Sequence, residues 1–217
     1  DRGRHTLNID RGQVVVLHGA NSIVSGPYGS LTFDDVEPLF FVDSGATLSV
    51  SSTITAAAGL RKELDGTLVL AADNGSTLTG TVTVNRGVVS LTDGGGLGAT
   101  SGSGSTGTVV SAGAALWIDG SAGDLAVGNE ALVLEGTGFH HDDQGALRNI
   151  GGMNSWAGPI TLGATTPGQR HTIGVDAGKL AIVASIRQNA YNAELSKMGA
   201  GGLEFAGPAA STANTYD

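Results

Sequence analysis

The stretch FHHDDQG, Phe139 to Gly145, holds the densest set of side chains able to do chemistry in this sequence. His140, His141, Asp142 and Asp143 are all divalent-metal ligand types. Neighbouring residues of an extended chain point to opposite faces, so a tetrahedral site would need further ligands from elsewhere. A solvated loop explains the same four residues. Asp34 and Asp35, with Glu37, are a second candidate. Paired carboxylates cut glycosidic bonds, but no acid or cation recurs at a fixed offset to complete the pair, and Asp-Asp also suits a turn. A third candidate, TDGGGLGATSGSGSTG from Thr92 to Gly107, lacks the Gly-Lys-Ser/Thr and the helix of a phosphate loop. It also lacks the tandem Gly-Gly-x-Gly-x-Asp of calcium-binding coils, and reads as a flexible turn between coils. Trp117, Trp156 and Tyr191 could offer stacking platforms to a sugar, although scattered aromatics more often cover apolar turns. No Gly-x-Ser-x-Gly elbow occurs. No catalytic, cofactor-binding or metal-binding residue is therefore assigned; the expectation is no cofactor and no enzyme activity.

The elements that would position these side chains are short and extended. A turn residue, usually glycine, is followed by four or five alternating residues: Gly45 before Ala46–Val50, Gly66 before Thr67–Leu70, Gly87 before Val88–Leu91 and Gly113 before Ala114–Ile118. Asn129, Gly178 and Gly202 open similar bursts. Second strands lie between them at 52–55, 80–84, 107–110 and 158–162. Period-two alternation over so few residues is the mark of a strand. The best helical candidate, Ile186 to Met198, is interrupted by Asn189 and Asn192.

Repeats of 21 to 26 residues, joined by Gly, Asn, Ser and Thr corners rather than two-residue hairpin loops, favour a parallel β-solenoid over a sandwich. The expectation is an all-β, right-handed parallel β-helix of roughly ten coils. Leu48, Leu68, Leu116, Leu132, Leu180 and Leu203 would supply its inward ladder. Residues 1–217 form one segment, with 1–45 as irregular early coils and 46–217 as repeat coils.

Composition agrees. Glycine accounts for 36 of 217 residues, aromatic residues for 5% and charged residues for 14%, which suits many tight corners and small side chains. A net charge of −9 with only 11 Lys and Arg, scattered singly, argues against nucleic acid and anionic lipid as partners. The absence of cysteine excludes disulfides, thiolate metal sites and cysteine nucleophiles. No apolar run reaches the length of a spanning helix.

Two stretches carry a family resemblance. LSKMGAGGLEFAGPAASTANTYD, from Leu195 to Asp217, resembles the autotransporter-associated β-strand repeat, also called the passenger-associated transport repeat. Leu195, Ser196, Lys197, Gly199, Gly201 and Leu203 match its opening; Asn214, Thr215 and Tyr216 match its close. Leu64 to Leu91 is similar to a second unit, continued by Thr83-Val84-Asn85-Arg86-Gly87 and by Asp93 to Thr100. The stretch from Ala146 to Leu162 resembles a further part of the family. Asn-Thr-Tyr is missing from the first unit, and Ala209 to Thr212 lengthen the second.

This resemblance, over residues 60–217, implies a secreted passenger segment of a bacterial cell-surface protein, exported by type V secretion and anchored to the outer membrane through parts outside this sequence. Asp1–His5 is not a signal peptide and Ala213–Asp217 carries no terminal signal, so the expectation is a piece of a longer chain. Its function would be that of a structural stalk that presents an adhesin or effector region and aids secretion by stepwise folding. A host-cell or matrix surface, or self-association, would be the partner. The alternative is a β-helical carbohydrate-active enzyme or carbohydrate-binding domain.

Overall fold

The computed structural model describes residues 6–9, 11–25, 29–98, 107–189 and 191–207. Asn214, Thr215 and Tyr216, which close the family motif, and most of the Gly-rich stretch before Gly107 lie outside the described residues.

The chain winds as a β-solenoid of about seven turns. Three strands occur in a full turn, one on each of three faces. Face two holds eight strands in one continuous sheet, from Gln13–Val16 to Ile186–Gln188. Face three holds another eight, from Ala20–Ile23 to Ala193–Met198. Face one is divided. Thr6–Asn8, Ser30–Phe33 and Thr53–Ala56 form a three-stranded sheet at one end. Ala126–Val127, Met153–Trp156, Lys179–Ile182 and Gly202–Phe205 form a four-stranded sheet at the other. Every ladder among the described residues is parallel.

Alternation decides which side chains enter the core. In Thr47–Val50, Leu48 and Val50 are buried while Thr47 and Ser49 are half-buried. Stacking carries these positions through the molecule. Leu48, Leu68, Val89, Leu116, Leu147 and Ile173 form one inward row on face three. Each full burial of such a side chain contributes about 1.5–3 kcal/mol before entropy.

The six leucines expected in one ladder occupy three. Leu48, Leu68 and Leu116 belong to face three, whereas Leu132 lies on face two between Thr108 and Ile160. Leu180 and Leu203 pair on face one. A glycine-led burst marks a strand, and three strands share a turn, so bursts from different faces had been merged into one row. The expected ten coils rest on a turn of about 21 residues throughout. Paired positions are 20 residues apart between Thr47 and Thr67 but 31 apart between Leu116 and Leu147, and the longer turns reduce the number to about seven.

Gln13–Val16 pairs in register with Leu39–Val42, and Ala20–Ile23 with Thr47–Val50. The helical candidate at Ile186–Met198 is two strands, Ile186–Gln188 and Ala193–Met198, with a corner between them.

Candidate functional site

The His140–Asp143 cluster lies in the corner between Leu132–Leu134 and Leu147–Gly151, at and just after a single 3-10 turn at Phe139–His141. His140, His141 and Asp143 all have positive φ, 51°, 58° and 60°, a backbone region that costs energy for residues with a Cβ. Contacts spread the four side chains apart. The His140 ring stacks on Phe139, and its Nε2 lies 3.4 Å from Asp65 Oδ2, which also accepts from Arg86 at 2.9 Å. Asp142 accepts from the Gln144 backbone N–H, and Asp143 pairs with Arg170 at 2.8 Å. Among the described residues no three His, Cys, Asp or Glu side chains gather as metal ligands.

The carboxylates near residue 35 are separated in the same way. Asp34 accepts from Asn8 Nδ2 at 2.9 Å, and Glu37 pairs with Arg61 at 3.1 Å. The aromatic residues do not share a surface. Trp156 is wholly buried on face one, so it is core and no stacking platform. Trp117 is half-buried on face three with the Arg148 guanidinium 5.5 Å from its ring centre, and Tyr191 is exposed at a corner of the last turn.

A different arrangement recurs along the outside. Arg61–Glu37, Arg86–Asp65, Arg148–Asp176, Arg170–Asp143 and Lys179–Glu204 are ion pairs whose partners are 21 to 28 residues apart, so each joins one turn to the next. Asn85 adds a bond to Glu63 across a turn. Among the described residues these five pairs act as staples between neighbouring turns, and Asp65 also meets His140. Exposed pairs of this kind contribute up to about 1 kcal/mol each.

The polar groups with the most unusual surroundings are inside, and the sequence reading missed them. Lys62 is completely buried in an inward row of face two, between Phe40 and Val84. Its Nζ donates to the carbonyls of Glu63 (2.8 Å), Leu64 (2.6 Å) and Arg86 (3.2 Å). Burial lowers the ammonium pKa to about 8; Asp65 and Glu63 oppose that shift and Arg86 adds to it. Asn149 and Asn154 form another internal group: Asn154 Nδ2 donates to Asn149 Oδ1 at 2.6 Å, while Asn154 Oδ1 accepts from the Leu125 N–H. His171 is buried beside the Gln169 carbonyl, and burial lowers its pKa. Each of these replaces an aliphatic residue in an inward row. A signal existed for Lys62, because Leu60 and Lys62 share the phase of Leu68 and Leu70; the charge concealed the strand.

The chain matches no protein-family model, no curated protein and no solved structure. Two corners of the described residues are built alike. In Leu195-Ser196-Lys197 and Leu60-Arg61-Lys62 the lysine is the next-to-last residue of a strand. In each, the lysine Nζ donates at 2.6 Å to the carbonyl of the residue two places on, and that residue has positive φ: Gly199 at 83° and Leu64 at 63°. Each then reaches a glycine whose Cβ would press on a valine Cγ1 of the preceding turn, Gly201 on Val175 and Gly66 on Val42.

Proposed function

We propose that this chain is a non-catalytic stalk segment, wound right-handedly, of an exported bacterial cell-surface protein resembling autotransporter passengers. Its role is to space and present an adhesive or effector region. The observation that carries the reading is the use of charge: among the described residues, acids and bases of adjacent turns pair with one another along the shaft, and no set of three potential ligands gathers. A stack of this kind grows by nearest-neighbour contacts, so it can fold turn by turn as it emerges, which suits export. The right hand follows the strong preference of parallel crossovers.

The test fuses residues 1–217 between an outer-membrane anchor and a terminal epitope, displayed on intact cells. The stalk reading expects antibody access to the epitope, loss of access when the segment is removed, and no binding on a glycan array. The alternative, a carbohydrate-binding or carbohydrate-active domain, draws on the half-buried Trp117 with Arg148 above it. A defined glycan that binds or is cleaved, with loss on Trp117→Ala, would replace the stalk by that alternative.

A further inference from the structure

Glu130 is the only carboxylate among the described residues that is nearly inaccessible, with 3% of its surface exposed. It precedes the strand Leu132–Leu134 in the same inward phase, so its side chain enters the core where an aliphatic residue would be expected. Thr108, buried on the preceding turn, donates its hydroxyl to Glu130 Oε1 at 2.8 Å. The following turn presents Gly158, where a Cβ would collide with the Glu130 carbonyl, so no counter-charge can arise from that position. No charged side chain among the described residues acts on the carboxylate. The nearest titratable groups along the chain are engaged elsewhere: Asp124 accepts from the Met153 N–H, and Glu135 lies against Gly163. Lys62, the other buried ionisable group of this face, is held by the carbonyls of its own corner.

The position in the stack matters. Among the described residues, face one has no ladder between Thr53–Ala56 and Ala126–Val127 beyond the bridge from Ala56 to Leu78. The middle turns are thus joined by two continuous sheets where the ends have three. Glu130 and Thr108 link successive turns at the edge of this gap.

We propose that Glu130 forms a proton-dependent latch between its own turn and that of Thr108, secure while the buried carboxyl is neutral and loosened when it ionises, because burying the charge costs more than the one hydroxyl bond from Thr108 returns. A protonated carboxyl accepts the threonine hydroxyl bond at little cost in an apolar interior, whereas an unpaired carboxylate there is expensive. Burial raises the Glu130 pKa to about 7, and the threonine bond opposes that shift. The raised value gives the sign. Below its ordinary value of 4.5 Glu130 is protonated whether folded or not. Between 4.5 and about 7 only the folded chain holds the proton. Stability falls as pH rises through this window and levels off above it.

The experiment measures the unfolding equilibrium of wild type and Glu130→Gln at pH 6 and pH 8, with an infrared titration of the wild-type carboxyl band. The latch expects the wild-type unfolding constant to rise about tenfold more than that of Glu130→Gln between the two pH values. It also expects a protonated-carboxyl band at pH 6 that fades near pH 7, and faster hydrogen exchange in residues 107–134 at pH 8 after correction for intrinsic rates. Thr108→Val, which keeps the carboxyl, should move the fading to higher pH. Should Glu130→Gln fail to fold, the wild-type and Thr108→Val titrations decide. Equal pH dependence in wild type and Glu130→Gln, or no protonated band at pH 6, would overturn the latch.

Discussion

The corners at Lys62 and Lys197 are built alike and placed differently. Both use a lysine next to last in its strand, a residue with positive φ two places on, and a glycine pressed against the previous turn. Lys62 lies mid-stack, fully buried, with a third carbonyl, that of Arg86, supplied by the turn that follows. Lys197 lies in the last described turn and is exposed. Local sequence therefore sets the shape of a corner, while the neighbouring turn sets how much that corner contributes to stability. The same contrast runs through the inward rows: Leu68 is completely buried between Leu48 and Val89, whereas Leu203 stacks on Leu180 and is half-buried.

Substitutions made in pairs can break or sharpen this contrast. The largest effect is expected at the glycines. A Cβ at Gly66 would fall on the carbonyls of Asp43 and Ala46, so Gly66→Val should lower stability by about 4 kcal/mol or more, with loss of the folded circular dichroism signal at 37 °C. Gly201→Val should cost about half as much, because no described turn stacks beyond it. Next come the rows: Leu68→Ala should cost about 3–4 kcal/mol in urea titration and Leu203→Ala about 1. Lys62→Met keeps volume but leaves three carbonyls without their donor, and should cost about 2 kcal/mol; Lys197→Met should fall within about 0.5. If members of each pair suffered equally, local geometry alone would account for the corner.

Lys62 also offers a pH test of the buried member. Its folded value of about 8 lies below the ordinary 10.5, so the unfolded chain binds more protons between them. Stability should rise with pH across that window and the rise should vanish in Lys62→Met. The smallest effect is expected outside: Arg148→Ala removes the staple to Asp176 and should cost about 1 kcal/mol, less in high salt.

These comparisons also mark what the sequence made legible. Strands after Gly66, Gly87 and Gly178 were readable because alternation and a turn glycine agree there. Leu60–Glu63 was hidden because its inward phase is Leu then Lys. The division into three faces was hidden because strands on different faces follow the same local pattern, and only pairing distinguishes them. At the candidate sites, the loop character of His140–Asp143 was readable from polarity. The burial of Trp156 and Glu130 was not, because each depends on what the adjacent turns place around it.

Parallel, in-register stacking is the claim on which the rest depends, and spin-label distances test it directly. The chain has no cysteine, so labels can be placed cleanly at Ser49→Cys with either Arg148→Cys or Met198→Cys. These positions follow one register line through Val69, Ser90, Trp117 and Gly174. Four and six turn spacings predict backbone separations of roughly 19 and 29 Å at about 4.8 Å per turn. Equal separations, or a shorter one to Met198, would contradict the solenoid.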